Sequence, residues 1–400
     1  MKCIITIVFF AAALNVLAQG SLTPPGAPAA MMKTLEQIEP RRAISSVPFS
    51  ITTPGSYYLT TNVTGTAGSV GISITANDVT LDLNGFALMG VASSLSGIQV
   101  PAGRERISIF NGHLRSWGGN GITSGANGMR VLNINAETNG GWGISITGGG
   151  AVVDRCVARN NDLGGIRASR ADISECVSIG NLGTGIDAGQ QSVVRGCSLV
   201  NNRSEGIGCN ESTVVNCTVS GSTNGIVPTL NSTIINCTVN NNTNGILGSS
   251  GCSVIGCTVN DSANNGISLF TATVVNCTVF NSGNDGISVG IGSTVKDCTV
   301  RGSGNDGIEG ANDGAYLNNT LTSNGLTTTN GAGIHMTLPG NRIEGNHLVL
   351  NDIAFRLEVG PNLVIRNSLR VNGQNVQGSG NSVHISGDAI GSSPHANLSF

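Results

Sequence analysis

The chain has 400 residues, of which 58 are glycine, 39% are hydrophobic and only 11% are charged, with a formal net charge of −3. So few charges cannot coat several separate globules, and this balance offers nucleic acid no electrostatic attraction. The abundance of Val, Ile and Leu excludes a disordered chain.

Lys2, the apolar run Ile4 to Leu17 and the small-residue end Val16-Leu17-Ala18 predict an export signal over residues 1–18. The mature protein is therefore expected to be secreted, periplasmic or at the cell surface. The apolar run is shorter than the ~20 residues that cross a bilayer, and no later segment could do so. Residues 19–50 read as a linker, with Pro24-Pro25-Gly26, and a cap, in which Lys33 to Glu39 forms a short amphipathic helix before Pro40.

From residue 51 internal repetition dominates. Gly-Ile pairs begin at Gly97, Gly121, Gly143, Gly165, Gly185, Gly206, Gly225, Gly245, Gly266, Gly286, Gly307 and Gly333, mostly 19 to 22 residues apart. A second marker keeps the same beat: Cys156, Cys176, Cys197, Cys217, Cys237, Cys257, Cys277 and Cys298. Three residues before each of these cysteines stands Val or Ile, and two residues after it an apolar or small residue, usually Val. The position two before it takes Asp154, Arg195 and Lys296, so that position faces outward. Apolar residues alternate with period two over short runs, and the uneven step before the cysteine implies a bend. Each period thus holds two or three short strands whose apolar faces are buried only by stacking coil on coil. The predicted fold is all-β: a right-handed single-stranded parallel β-helix of roughly 13 coils over residues 51–371, closed by a cap or tail over 372–400.

In such a stack the cysteines form a column of parallel side chains, a poor match to disulfide geometry, and are expected to be buried free thiols. No CxxC spacing occurs, so no metal centre or other cofactor is predicted. Cys209 and Cys252 lie off the column and are read as core filling.

The functional candidates follow in chain order. The only two tryptophans, Trp117 and Trp142, lie one coil apart, near His113, Arg115 and Arg130. An aromatic pair beside arginine would suit an anionic polysaccharide; packing of both rings under a loop is the alternative. Residues 154–205 hold twelve charged side chains, whereas 206–284 hold two, Glu211 and Asp261. Arg167 and Asp187 occupy the same outward slot on adjacent coils, as a solvated ion pair or as part of a groove. With Gln99, Thr123 and Ser145 they would form a polar strip, so His113, Arg115, Trp117, Trp142, Arg167 and Asp187 are the predicted substrate-binding set. Farther on, Val215, Ile235, Ile255 and Val275 make an outward apolar stripe, expected to pack on a partner or under the C-terminal segment. Asp285 and Asp306 stack on neighbouring coils before Gly-Ile, where sister coils carry Asn224, Asn244 and Asn265. Arg167, Asp187, Asp285 and Asp306 are the candidate catalytic residues.

The stretch Val79-Thr80-Leu81-Asp82-Leu83-Asn84-Gly85 and the unit Asn341-Arg342-Ile343-Glu344-Gly345-Asn346 resemble the pectin-lyase-like β-helix superfamily, specifically its NosD-like repeat group, over about residues 50–370. The resemblance implies the right-handed fold and a range of roles: polysaccharide lyases, hydrolases, epimerases, adhesins and non-catalytic proteins. Polygalacturonase-like members carry stacked Asp residues, then Gly-His-Gly and Arg-Ile-Lys. Here Asp285 and Asp306 are followed by His335 and Arg342, but Ala332 stands where the family's His precedes Gly-Ile, and Arg342 lies too near His335 to belong to the next coil. A lyase would need a base and calcium held by acidic side chains. The expectation is an exported β-helix that contacts polysaccharide, with lyase or hydrolase activity open, against a non-catalytic surface or adhesive rod.

Overall fold

The computed structural model describes residues 39–327 and 330–378, the strand fragments 383–384 and 386–387, and residues 395–399. The expected leader and the cap helix, Glu39 apart, lie outside these residues. From Arg41 onward the chain forms one compact unit, without a helix among its described residues.

Each coil is built from three short strands. The first follows the glycine, as in Ile267–Leu269; the second, Thr271–Val275, leads to a bend; the third, Thr278–Phe280, leads to the next turn. The bend is made by the residue before the cysteine, which takes a left-handed conformation: φ is 54° at Asn216, 50° at Asn236 and 54° at Asn276. Asn tolerates that region, and Gly196 and Gly256 occupy the same place. Reversal of the chain over one residue lets Val274, Cys277 and Val279 all point inward, each at most 1% exposed.

Like strands stack on like. The Gly-Ile strands form a parallel sheet of sixteen, from Phe49–Ile51 to Gln374–Gly378, while the other strands stack in parallel ladders of their own. The solenoid therefore has sixteen coils, more than the thirteen expected. The additional coils lack the regular marker, because Phe49, Phe355 and Val376 take the isoleucine slot, in register with Ile72, Ile334 and Phe355 respectively. Parallel strands joined by such short crossovers wind in the right-handed sense. Along the sheet, Ile98, Ile122, Ile144, Ile166 and Ile186 pair in unbroken register and are fully buried.

The cysteine column is interior. All eight thiols, with Cys209 and Cys252, are buried and free. From Asn319 the slot passes to asparagine: Asn319, Asn346, Asn367 and Asn397 are linked Nδ2 to Oδ1 at 2.9–3.0 Å. A second buried ladder, Asn139–Asn161–Asn181–Asn202, follows the third strand, with links of 2.8–2.9 Å. Each amide also bonds neighbouring backbone, which satisfies turns that would otherwise bury unpaired groups.

The apolar stripe is real and in register: Val215, Ile235, Ile255 and Val275 follow one another on the second strands. The C-terminal segment does not cover it where described, because Val383–His384 pairs with Leu363–Val364 and Leu398–Ser399 with Ser368–Leu369, which extends the ladders instead.

Candidate functional site on the Gly-Ile face

Two columns of side chains project from the Gly-Ile sheet. One comprises the residue two before each isoleucine, the other the residue after it. The second column runs Gln99, Thr123, Ser145, Arg167, Asp187, Gly208 and Val227, then Leu247, Ser268, Ser288, Glu309, His335 and Arg356. Between the columns the glycines are fixed by sterics: a Cβ on Gly266 would meet the Gly286 carbonyl at 2.5 Å and the Ser282 hydroxyl at 2.7 Å.

Toward the N-terminal end, four consecutive coils each supply one functional side chain. Trp142 lies across Gly164, where a Cβ would strike its ring, with the Arg167 guanidinium 5.9 Å from the ring centroid. Arg167 Nε is 3.2 Å from Asp187 Oδ2, and both side chains are part-exposed. The next coil has Gly208 opposite Asp187, and the missing side chain is replaced by the carboxyl of Glu205, whose Oε2 would lie 2.5 Å from a Cβ on Gly208. Burial, with the Asp187 charge adding to it, raises the Glu205 carboxyl above the usual range. No hydrogen bond reaches that carboxyl among the described residues.

Six coils farther along, roughly 29 Å at ~4.8 Å per coil, stands a second ionisable group. Asp306 accepts from the Ala332 amide at 2.7 Å and contacts His335 Nδ1 at 2.8 Å. His335 Nε2 lies 3.1 Å from Glu358, which Arg356 contacts at 2.8 Å. Burial works against the His335 proton, but the hydrogen bond and charge of Asp306 outweigh it and raise the imidazole pKa. Asp285 is buried one coil before Asp306 and accepts from its amide at 3.1 Å. Burial pushes its carboxyl up to about 6, opposed by that hydrogen bond and assisted by the Glu309 charge. Beside this cluster runs a cleft of about 360 Å³ lined by Ser268, Phe270, Ser288, Glu309 and Thr337. Phe270 is 61% exposed.

Asp306, Glu309 and His335 bring ligand atoms within 4.8 Å of one another. Imidazole with carboxylates suits a zinc-like cation better than calcium, which favours oxygen ligands. A cation at Nδ1 would have to break the Asp306–His335 contact.

Of the predicted binding set, Trp142, Arg167 and Asp187 stand together. Trp117 does not join them: it is 1% exposed, packs where Cβ atoms on Gly65, Gly71 and Gly97 would come within 2.5–2.8 Å of its ring, and donates from Nε1 to the Leu88 carbonyl at 3.0 Å. The expectation of an exposed tryptophan pair is corrected, because three small residues from neighbouring coils make room for the ring inside. His113 and Arg115 are exposed on the third strands, opposite Asn135 and Glu137, away from the Gly-Ile face. Asp285 and Asp306 share that face, yet both are buried within it. Glu205, Glu309 and Phe270 were missed. Glu205 and Asp306 both stand two before isoleucine, and that shared place was the available signal.

Residues 96–243 match the family model described as the right handed beta helix region. No curated protein matches the chain. Among solved structures, the periplasmic alginate epimerase AlgG is similar at 13% identity, covering 80% of this chain and 79% of its own, with a TM-score of 0.39. The A-module of mannuronan C-5 epimerase AlgE4 from Azotobacter vinelandii is similar at 12% identity over 84% of this chain and 91% of its own, with a TM-score of 0.35. The catalytic domain of a GH87 alpha-1,3-glucanase, in complex with tetrasaccharides, is similar at 13% identity over 76% and 63%, with a TM-score of 0.38. The register of its strands and the matched repeat make this protein a right-handed parallel β-helix.

Proposed function

We propose that this protein is exported and binds an extracellular polysaccharide laid along its Gly-Ile face, parallel to the coil-stacking direction. The observation that carries the reading is the pair of outward columns. They present side chains in register on most coils, interrupted at Gly164 and Gly208, with an aromatic ring at Trp142 and another at Phe270, six coils farther along at the end of its Gly-Ile strand. A ligand with a repeating polar unit is what a repeating polar column can recognise, and rings offer apolar faces to sugars. The other two sets of strands carry surface ion pairs, Glu137–Arg159 beside Arg115 and Asp172–Arg195, and an apolar stripe from Val215 to Val275. Arg167 favours an anionic chain at one end, whereas Glu309 and Glu358 favour a neutral one at the other. No metal is required for binding on this reading; calcium becomes a requirement only if the reaction is an elimination from a uronate.

Affinity electrophoresis of the full chain through gels containing single soluble polysaccharides, neutral glucans and mannans alongside polyuronates, tests the proposal. At least one polymer should retard the protein, and Trp142→Ala and Phe270→Ala should each restore mobility while His113→Ala does not. Equal mobility in every gel would refute it.

A further inference from the structure

We propose that Asp187 and Glu205 are the nucleophile and the general acid of a glycoside hydrolysis that retains anomeric configuration, with Trp142 and Arg167 forming the adjoining sugar subsite. This rests on the polysaccharide reading and adds a reaction to it. The two ionisable groups of the Gly-Ile face differ in one respect. Around His335 every group is engaged: Asp306 holds the Ala332 amide and His335, His335 reaches Glu358, and Glu358 receives Arg356. That closed network ties three successive coils together. Around Asp187 the arrangement is open at Glu205, whose carboxyl has no hydrogen-bond partner among the described residues, while Asp187 is held in place by Arg167 at Oδ2 and by the Gly189 amide at Oδ1.

The geometry suits double displacement. Glu205 reaches over Gly208, so its carboxyl occupies the slot next to Asp187 in the same column. Adjacent slots are separated by ~4.8 Å, close to the ~5–5.5 Å between carboxyl groups in retaining glycosidases. Glu205 is half-buried, and that burial raises its carboxyl pKa, which is the condition for an acid. In the first step an oxygen of Asp187 bonds the anomeric carbon as the glycosidic bond breaks, and the Glu205 proton passes to the departing oxygen. In the second step a water attacks the same carbon and gives its proton to Glu205 while the Asp187 ester bond breaks. One water is consumed per bond cleaved, and both carboxyl groups return to their starting states. Trp142 and Arg167, on the two preceding coils, would hold the neighbouring sugar by ring face and guanidinium.

The experiment takes the same polysaccharide panel, measuring retention in the gel and release of reducing ends in parallel, with the product anomer read by NMR immediately after cleavage. The expected result is that the polymer retained is also cleaved, with the configuration kept. Asp187→Asn and Glu205→Gln, near-isosteric changes on the surface, should each lose on the order of 100-fold or more in cleavage while still being retained. Activity should fall as pH rises through the Glu205 pKa. A 2-deoxy-2-fluoro glycoside of the retained sugar should leave a covalent ester mapped to Asp187. If a polymer is retained and wild type does not cleave it, or Asp187→Asn cleaves as wild type does, the assignment of the pair is overturned and the binding reading survives. If no polymer is retained, both fall.

Discussion

Asn161 is the buried centre of the asparagine ladder, and its replacement by alanine gives a worked test of how the coils are held. Its Oδ1 accepts from Asn139 N at 3.1 Å and Asn139 Nδ2 at 2.9 Å, and its Nδ2 donates to the Ala136 carbonyl at 3.2 Å and to Asn181 Oδ1 at 2.9 Å. In Asn161→Ala, Asn139 Nδ2 keeps the Leu114 carbonyl and Asn181 Oδ1 keeps the Asn161 amide. The Asn139 amide loses its acceptor and the Ala136 carbonyl this donor, in a region that no water reaches. At ~1–3 kcal/mol for each of these two buried groups left unpaired, the loss is about 2–6 kcal/mol. Asn161→Ser should cost about as much, because Ser222, Ser262, Ser282 and Ser303, in the same slot elsewhere in the stack, have buried hydroxyls without a hydrogen-bond partner. Urea unfolding followed by circular dichroism reads the loss. Amide exchange at 136–139 reads whether it is local, since a solenoid need not unfold in one step. An alanine variant within 0.5 kcal/mol of wild type, or a serine variant as stable as wild type, would refute the ladder's energetic role.

Other consequences are as direct. The ten described thiols should resist a thiol reagent in the folded protein and react together on unfolding; burial, the largest of several influences, pushes Cys209 up to about 12. Rapid labelling of the native protein would contradict the interior column. Tyr316 fills the space that Gly310 leaves empty, with its hydroxyl buried and unpartnered. Gly310→Val alone should therefore destabilise by roughly 1–3 kcal/mol or more, and adding Tyr316→Val, which copies Val289 and Val295 of the preceding coil, should recover much of it in thermal melts. Burial raises the Asp285 carboxyl in the folded state to about 6, from an ordinary value of 3.8. The folded state thus binds the proton more tightly, and stability falls as pH rises from about 4 to 6. Asp285→Asn, which copies Asn265, should remove that fall and add on the order of 2 kcal/mol at pH 8; an unchanged pH profile in denaturant titrations would be the contrary result.

The repeat made the fold legible because in a solenoid one period of sequence is one coil, so equal spacing becomes vertical alignment. The interior cysteines, the bend before them and the outward slot shared by Arg167 and Asp187 all followed from that. The count of coils did not, because the end coils replace isoleucine with Phe49, Phe355 or Val376, and Gly71-Ile72 precedes Gly97 by 26 residues, off the beat. Trp117 was misplaced because what buries it is the absence of side chains at Gly65, Gly71 and Gly97, spread over other coils. The placement of the Glu205 carboxyl was hidden for a related reason. The group matters where it lies, over Gly208, and that reach appears only once register is known. Asp306 and His335 were both noticed, but their 2.8 Å contact joins different columns on successive coils, which spacing alone does not reveal.

The most direct test of ligand binding along the Gly-Ile face is hydroxyl-radical footprinting of the full chain with and without a polysaccharide that retards it in gels. Protection should concentrate at Trp142, Leu247 and Phe270, with His113 and Ile255 unchanged. Protection at His113 or along the Val215–Val275 stripe, with Trp142 and Phe270 still fully reactive, would place the ligand elsewhere and contradict the account.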